Sequence, residues 1–308
     1  MLLAGLQRGK AAGAIQHHGW DGALTLSNGV VEVIVVPAVG RIMQFRFVGE
    51  DDVFWENPRL LGKIADLHSE EWLNFGGDKV WPSPQSDWQK LTGKGWPPPA
   101  TFDSTPLEGR LVGNEIELVS PVDPHYGIRV RRRISLVPRQ PTLRITTVFE
   151  KVSGDPLKIS IAVITQVRDF DRAYIVLPEK SKFPQGYRHL NFEVPQDLKV
   201  SGRLLSLTRA RSFKTQIGSD GGTMLWVSDQ HALFIEAPLV AGAEYPNQGC
   251  STVVYTNEDP DAYAELETFS PLRTLKAGEE MEQTNTYTLS RFTLADPDVE
   301  VRKRLSLR

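Results

Sequence analysis

From Leu143 to Glu150 the chain alternates, with Leu143, Ile145, Thr147 and Phe149 on one side of an extended backbone and Arg144, Thr146, Val148 and Glu150 on the other. A half-buried antiparallel strand requires this pattern, because side chains along a strand point to opposite faces in turn. Further strands are predicted at 31–36, 41–48, 115–119, 128–136, 158–168, 223–227, 232–236, 251–256, 263–269 and 282–289. β-Branched and aromatic residues recur in these segments, and Gly, Pro, Asn and Asp separate most of them. Helical patterning is confined to two short stretches, 60–72 and 296–305. There is no strand–helix–strand rhythm, which argues against a doubly wound parallel sheet. Many strands at short spacing predict an all-β fold, a sandwich or barrel of antiparallel sheets. The exception is 74–105, rich in Trp, Pro and Gly, which reads as a long irregular binding or lid loop.

Length and composition narrow this picture. A chain of 308 residues with no internal repeat or dividing linker predicts one large β domain over 21–308. Residues 1–20 are expected to form an N-terminal arm, loose unless tied down. With 40% hydrophobic and 24% charged residues the chain can bury a sizeable core in water. A formal net charge of −3 provides no drive toward nucleic acid, and no segment approaches the length of a membrane span. Neither partner is expected, and the sequence leaves the oligomeric state open. Cys250 is the single cysteine, so there is neither an intramolecular disulfide nor a thiolate zinc cluster, and a reducing, cytoplasmic setting fits. His17, His18, His68, His189 and His231 lie scattered without metal-ligand spacing, so no metal is expected. The motifs of serine hydrolases, P-loop NTPases, zinc proteases and dinucleotide enzymes are all missing, and no cofactor is expected.

The candidate chemistry lies in two places. In Tyr263-Ala264-Glu265-Leu266-Glu267 the strand period puts both carboxylates on one face, with Ala264 and Leu266 on the other. Like charges so placed repel unless solvent, a cation or a polar ligand separates them, so the pair marks an open surface or a working site. Far upstream, Asn74, Lys79, Trp81 and Gln85 combine planar hydrogen-bonding groups, a cation and a flat aromatic face, which suits a sugar-sized polar cleft. Trp72, Trp88 and Trp96 fall in the same span, where they either stack on a ring or pack the loop onto the sheets. Arg41, next to Gly40 at a strand corner, is a candidate partner for a carboxylate. His125, in the turn Asp123-Pro124-His125-Tyr126-Gly127, is a candidate proton donor, and Lys214 and Tyr245 are candidates for the cleft rim. A glycosidase would need a second acid beside Glu265, and Asp78 is the one to test.

Two stretches resemble the galactose mutarotase-like superfamily, which contains the aldose 1-epimerases. Asn28-Gly29 leading into Val31–Val36, then Pro37, Gly40-Arg41-Ile42 and Phe54-Trp55-Glu56-Asn57-Pro58, is similar to its opening strands. Tyr263–Phe269, Pro271, Leu275 and Gly278-Glu279 resemble its closing segment. The resemblance implies a large antiparallel β-supersandwich with a sugar site on a concave face, and a glutamate base that maps to Glu265, or else to Glu267. Where the family carries a His-Gly-x-x-Arg-like segment, this chain has Phe75-Gly76-Gly77-Asp78-Lys79, and where a second histidine follows a strand it has Thr165 and Gln166. Gln166 can hydrogen-bond a hydroxyl but cannot shuttle a proton near neutral pH. The resemblance therefore implies a monosaccharide or sugar derivative as ligand, and an aldose 1-epimerase-like isomerase with Lys79 or His125 as an atypical acid. The alternatives are a non-catalytic sugar-binding or sensory protein, and third a glycosidase or lyase.

Overall fold

The computed structural model describes residues 12–66, 69, 71–228, 231–292 and 296–307. Two large antiparallel sheets face one another. Across the larger, the spatial order is Ala12–His17, Trp20–Ser27, Val31–Val36, Arg41–Phe47, Asp78–Ser83, Leu157–Arg168, Tyr263–Phe269, Thr252–Thr256, Thr215–Ser219 and Arg188–Phe192. Arg273–Leu275 pairs alongside Leu157–Arg168 as an eleventh strand. The ten-stranded sheet runs Lys199–Ser201, Leu204–Leu207, Arg172–Val176, Thr223–Ser228, His231–Glu236, Glu280–Arg291, Thr142–Lys151, Ile128–Leu136, Glu115–Val122 and Glu108–Val112. The fold is thus an all-β supersandwich, as the alternation predicts.

The main core lies between the sheets, where Val33, Phe45 and Leu266 meet Ile134, Ile145 and Leu233. Each such side chain, fully buried, contributes about 1.5–3 kcal/mol from removal of apolar surface from water. Ala264 and Leu266 face this core, so Glu265 and Glu267 point to the outer face of the larger sheet. Asp296 caps the C-terminal helix Pro297–Arg304, its Oδ1 accepting from the Asp298 and Val299 amides.

Three expectations need correction. Residues 12–17, assigned to a loose arm, form a strand paired with Trp20–Ser27; His17 and Trp20 are buried, and the Trp20 indole donates to the Lys63 carbonyl at 2.6 Å. Residues 1–11 of that arm lie outside the described residues, as does His68. The stretch 60–72 is turn and irregular backbone where it is described, not a helix. The loop expected over 74–105 contains the strand Asp78–Ser83 and two short helices. Pro82 hides that strand in the sequence, since proline lacks the N–H a central strand needs. It is accommodated because Arg41–Phe47 pairs with this strand only at Ile42 opposite Asp78, leaving a single partner strand at Pro82. Glycine is required just before it. A Cβ on Gly76 would meet the Trp55 carbonyl oxygen at 2.1 Å, and one on Gly77 the Ile42 carbonyl oxygen at 2.5 Å.

Candidate functional site

Strand register assembles the site on the outer face of the larger sheet. Gln166 is opposite Glu265, Glu265 opposite Tyr255, Tyr255 opposite Gln216, and Gln216 opposite Asn191, giving one polar row across five strands. The next row places Lys79 opposite Ile164 and Ile164 opposite Glu267; a third places Trp81 and Phe269 on either side of Ala162. Over these rows lies a cleft of about 520 Å³, walled by Trp72, Trp81, Trp88 and Trp96 on one side and by Asn191, Lys214, Tyr255 and Asn257 on the other. That volume suits a ligand of monosaccharide size or somewhat larger.

The floor is electrostatically unbalanced. Glu265 is 8% exposed and Glu267 7%, so neither belongs to the solvated strand face that a charged pair usually marks. Gln166 Nε2 donates to Glu265 Oε1 at 2.7 Å, and Lys79 Nζ lies 3.7 Å from the same oxygen. Glu265 thus has one hydrogen-bond donor and one buried cation beside a single oxygen. Glu267 has the opposite environment: burial first, and the neighbouring Glu265 charge second, push its carboxyl well above the ordinary range, against the weaker pull of Lys79 and a hydrogen bond with Gln216. Glu267 therefore keeps its proton at pH values where an exposed glutamate has lost it. Lys79 is brought down to about 8, chiefly by burial, with Glu265 opposing the shift and Arg41 adding to it. Its Nζ has no hydrogen-bond partner, nor has Gln166 Oε1, nor Asn74 Oδ1.

The aromatic wall is pinned from behind by one carboxylate. Asp103 Oδ1 accepts from the Trp81 indole at 2.8 Å and from Arg41 Nη2 at 3.0 Å, while its Oδ2 accepts from the Trp72 indole at 3.1 Å. Trp72 and Trp96 meet edge to face at 4.9 Å, and Trp81 and Trp88 at 5.4 Å. The Lys79 ammonium sits 4.2 Å from the Trp81 ring centre and 5.1 Å from that of Trp72, a cation–π arrangement worth more in a desolvated site than at a surface. Trp96 is exposed at the rim, whereas Trp88 is wholly buried and donates to the Pro82 carbonyl.

Of the residues singled out in the sequence, Asn74, Trp81, Gln85, Lys214, Glu265 and Glu267 line the cleft together. Lys79 and Gln166 sit directly beneath, fully buried against Glu265, so Lys79 acts on the carboxylate rather than reaching a ligand as a free point charge. Arg41 lies behind the wall, committed to Asp103 and the Gly76 carbonyl. His125 is exposed in its turn, where Asp123 Oδ1 accepts from its backbone N–H, and it is not at the cleft. Tyr245 is packed into a separate apolar cluster, with its hydroxyl accepting from the Val240 amide. Phe75, at the position implied for a family histidine, is buried against Trp20, Val39 and Met43, away from the cleft. Asp78 faces the sandwich interior, which removes it as the second acid of a glycosidase pair. The sequence reading missed Tyr255, Gln216, Asn191, Asn257, Tyr263 and the anchoring Asp103. Tyr263 was within reach of it, lying two positions before Glu265 on the same strand face; the others depend on strand register or on a loop contact.

No protein-family model matches the chain, and no curated protein sequence matches it. Solved structures do match. A galactose mutarotase-like protein from Lactobacillus casei superposes with a TM-score of 0.57 at 10% identity, over 87% of this chain and all (100%) of that one. The Slr1438 protein from Synechocystis gives 0.55 at 10% identity, over 94% and 99% of the two chains. A galactose mutarotase related enzyme from Lactobacillus acidophilus gives 0.51 at 11% identity, over 88% and 100%. The chain has the galactose mutarotase-like fold.

Proposed function

We propose that the protein binds a monosaccharide or sugar derivative in this cleft and interconverts its anomers, as an aldose 1-epimerase-like isomerase. The carrying observation is the pair of carboxyls on one strand face in opposed environments, Glu265 beside Lys79 and Gln166, Glu267 buried beside Glu265. Anomer exchange needs a base and an acid on one pyranose ring. Glu265 takes the proton of the anomeric hydroxyl as the bond from the anomeric carbon to the ring oxygen breaks, and Glu267 gives its proton to that oxygen. Rotation exposes the other carbonyl face, and ring closure returns both protons. Glu267, whose carboxyl burial pushes upward, is the member of the pair with a proton to give, and Glu265, beside Lys79 and Gln166, is the member placed to accept one. The names carried by the Lactobacillus neighbours, mutarotase-like and mutarotase related, agree with this reading.

One observation favours a second reading, a sugar-binding or sensory protein without catalysis: among the described residues no histidine lines the cleft. Magnetisation-exchange proton NMR on aldoses, uronic acids and hexose phosphates separates the two. Added anomer exchange that falls about 10²–10⁴-fold in Glu265→Gln is the expected result, the usual size of a general-base contribution. Ligand line broadening with no added exchange assigns the protein to the binding class, and activity intact in Glu265→Gln removes the mechanism.

A further inference from the structure

Outside the lining of the cleft, the turn His17-His18-Gly19-Trp20 meets Glu56. Consecutive residues of a strand point to opposite faces, so adjacent histidines ordinarily cannot share one partner. Here they do. The pairing register shifts between Ile15 and His17, and His18 adopts φ 43°, the left-handed region that non-glycine residues enter at a cost of about 1–3 kcal/mol. The backbone thereby folds the second ring back onto the first, and the imidazoles stack at 4.0 Å. His17 Nε2 lies 2.8 Å from Glu56 Oε1, and His18 Nδ1 lies 2.8 Å from Glu56 Oε2.

We propose that His17, His18 and Glu56 form a binding site for a divalent first-row transition ion of the zinc class. The three donor atoms lie within 4.8 Å of one another. Ligands at about 2.0–2.2 Å in a tetrahedron stand about 3.3 Å apart, so small side-chain rotations convert the observed contacts into a coordination shell. Two imidazoles and a carboxylate are a donor set suited to zinc. The carboxylate is oriented in advance, because Gln44 Nε2 donates to Glu56 Oε1 at 2.7 Å. Gln44 is itself fixed, donating to the Phe54 carbonyl and accepting from the Phe54 amide. Such outer support is what metal sites carry around their ligands. His17 is 5% exposed and His18 43%, which leaves an entry path and an open position on the solvent side. A bound ion ties the first hairpin to Glu56, whose neighbour Asn57 donates to the backbone carbonyl of the cleft residue Asn74.

The test is calorimetric titration of zinc into chelator-treated full-length protein, with cobalt absorption reporting the coordination geometry and thermal unfolding reporting stabilisation. One zinc per chain, a zinc-dependent rise in Tm, and affinity at least tenfold weaker in both His18→Ala and Glu56→Gln are expected. His125→Ala, which removes an exposed histidine elsewhere, should bind as wild type. His18→Ala is the safer variant, since its side chain is half exposed and its loss leaves the buried His17 contact in place. Absence of saturable uptake, or uptake equally strong in His18→Ala, overturns the proposal.

Discussion

Asp78 and Lys79 are consecutive residues of one strand, both buried, and their surroundings could hardly differ more. Asp78 points between the sheets and is fully met: Arg132 pairs with its Oδ1, and Thr165 and Tyr287 donate to its Oδ2 at 2.6 and 2.7 Å. Arg132 and Tyr287 belong to the opposite sheet, so this centre bolts the two layers together. Lys79 points to the cleft with no hydrogen bond, beside a glutamine oxygen that has none either, under two crowded carboxyls. Buried polar groups are normally paired, and leaving one unpaired costs free energy. Asp78 is a charge matched on every side, whereas Lys79 has only the Glu265 carboxylate at 3.7 Å and two indole faces for company. The same strand thus presents one side chain to the interior that joins the sheets and the next to the proposed site, by parity alone.

The harshest way to break this comparison is Arg132→Met. It strands Asp78 as an uncompensated buried carboxylate, and removing one partner of a buried ion pair costs about 3–5 kcal/mol. Urea unfolding should show that loss as a lower midpoint with little change in slope. A loss under about 1 kcal/mol, the size of an exposed pair, would deny the Asp78 centre its structural role.

Parity also explains what could be read from the sequence. The β-rich strands 128–136, 142–151 and 263–269 announce themselves because half of each is apolar, and the structure has strands there. The shared face of Glu265 and Glu267 follows from a period of two alone. Asp78–Ser83 does not announce itself: its two buried charges and Pro82 mimic a loop, and only the interior carboxylate network and the cation–π wall make it a strand. Asp103 carries no local signal, since its role depends on three partners at positions 41, 72 and 81. His17 and His18 look unremarkable as neighbours, because strand alternation would part them, and only the left-handed turn brings them to Glu56. Local pattern specifies which way a side chain points, but not what waits for it there.

The unmatched side of the comparison can be sharpened through pH. Lys79 has an ordinary value of 10.5 and about 8 in the folded chain. Between these pH values the unfolded chain binds more protons than the folded one, so this residue makes stability rise with pH across that window. Below pH 8 the cost of burying the charge is present in full; as pH climbs through the upper value it disappears. Its full size is on the order of 3 kcal/mol, from 1.36 kcal/mol per pH unit of displacement. Comparing denaturation midpoints of wild type and Lys79→Met from pH 7 to 10.5 isolates this contribution from other groups titrating in the same range. The variant should lack the wild-type rise. Parallel curves would mean that Lys79 is not held against a desolvation penalty, and that the cleft is balanced after all.

Glu267 is the gentler test, with the sign reversed. Its folded value lies well above the ordinary 4.5, so above that pH the folded chain holds a proton the unfolded chain has released. Stability from this group therefore falls as pH rises from about 4.5 toward the folded value, and is unpenalised below it. Glu267→Gln keeps the shape and the contact with Gln216 but cannot ionise. It should unfold at a higher temperature than wild type at pH 7, by about 0.5–2 kcal/mol, a gain typical of relieving a strained functional group at the expense of activity. At pH 4 the advantage should vanish. Because the same substitution removes the proposed proton donor, Tm and anomer exchange should move in opposite directions. A variant that gains nothing at pH 7 relative to pH 4 would place Glu267 among the matched charges, with Asp78, and leave Glu265 without an acid.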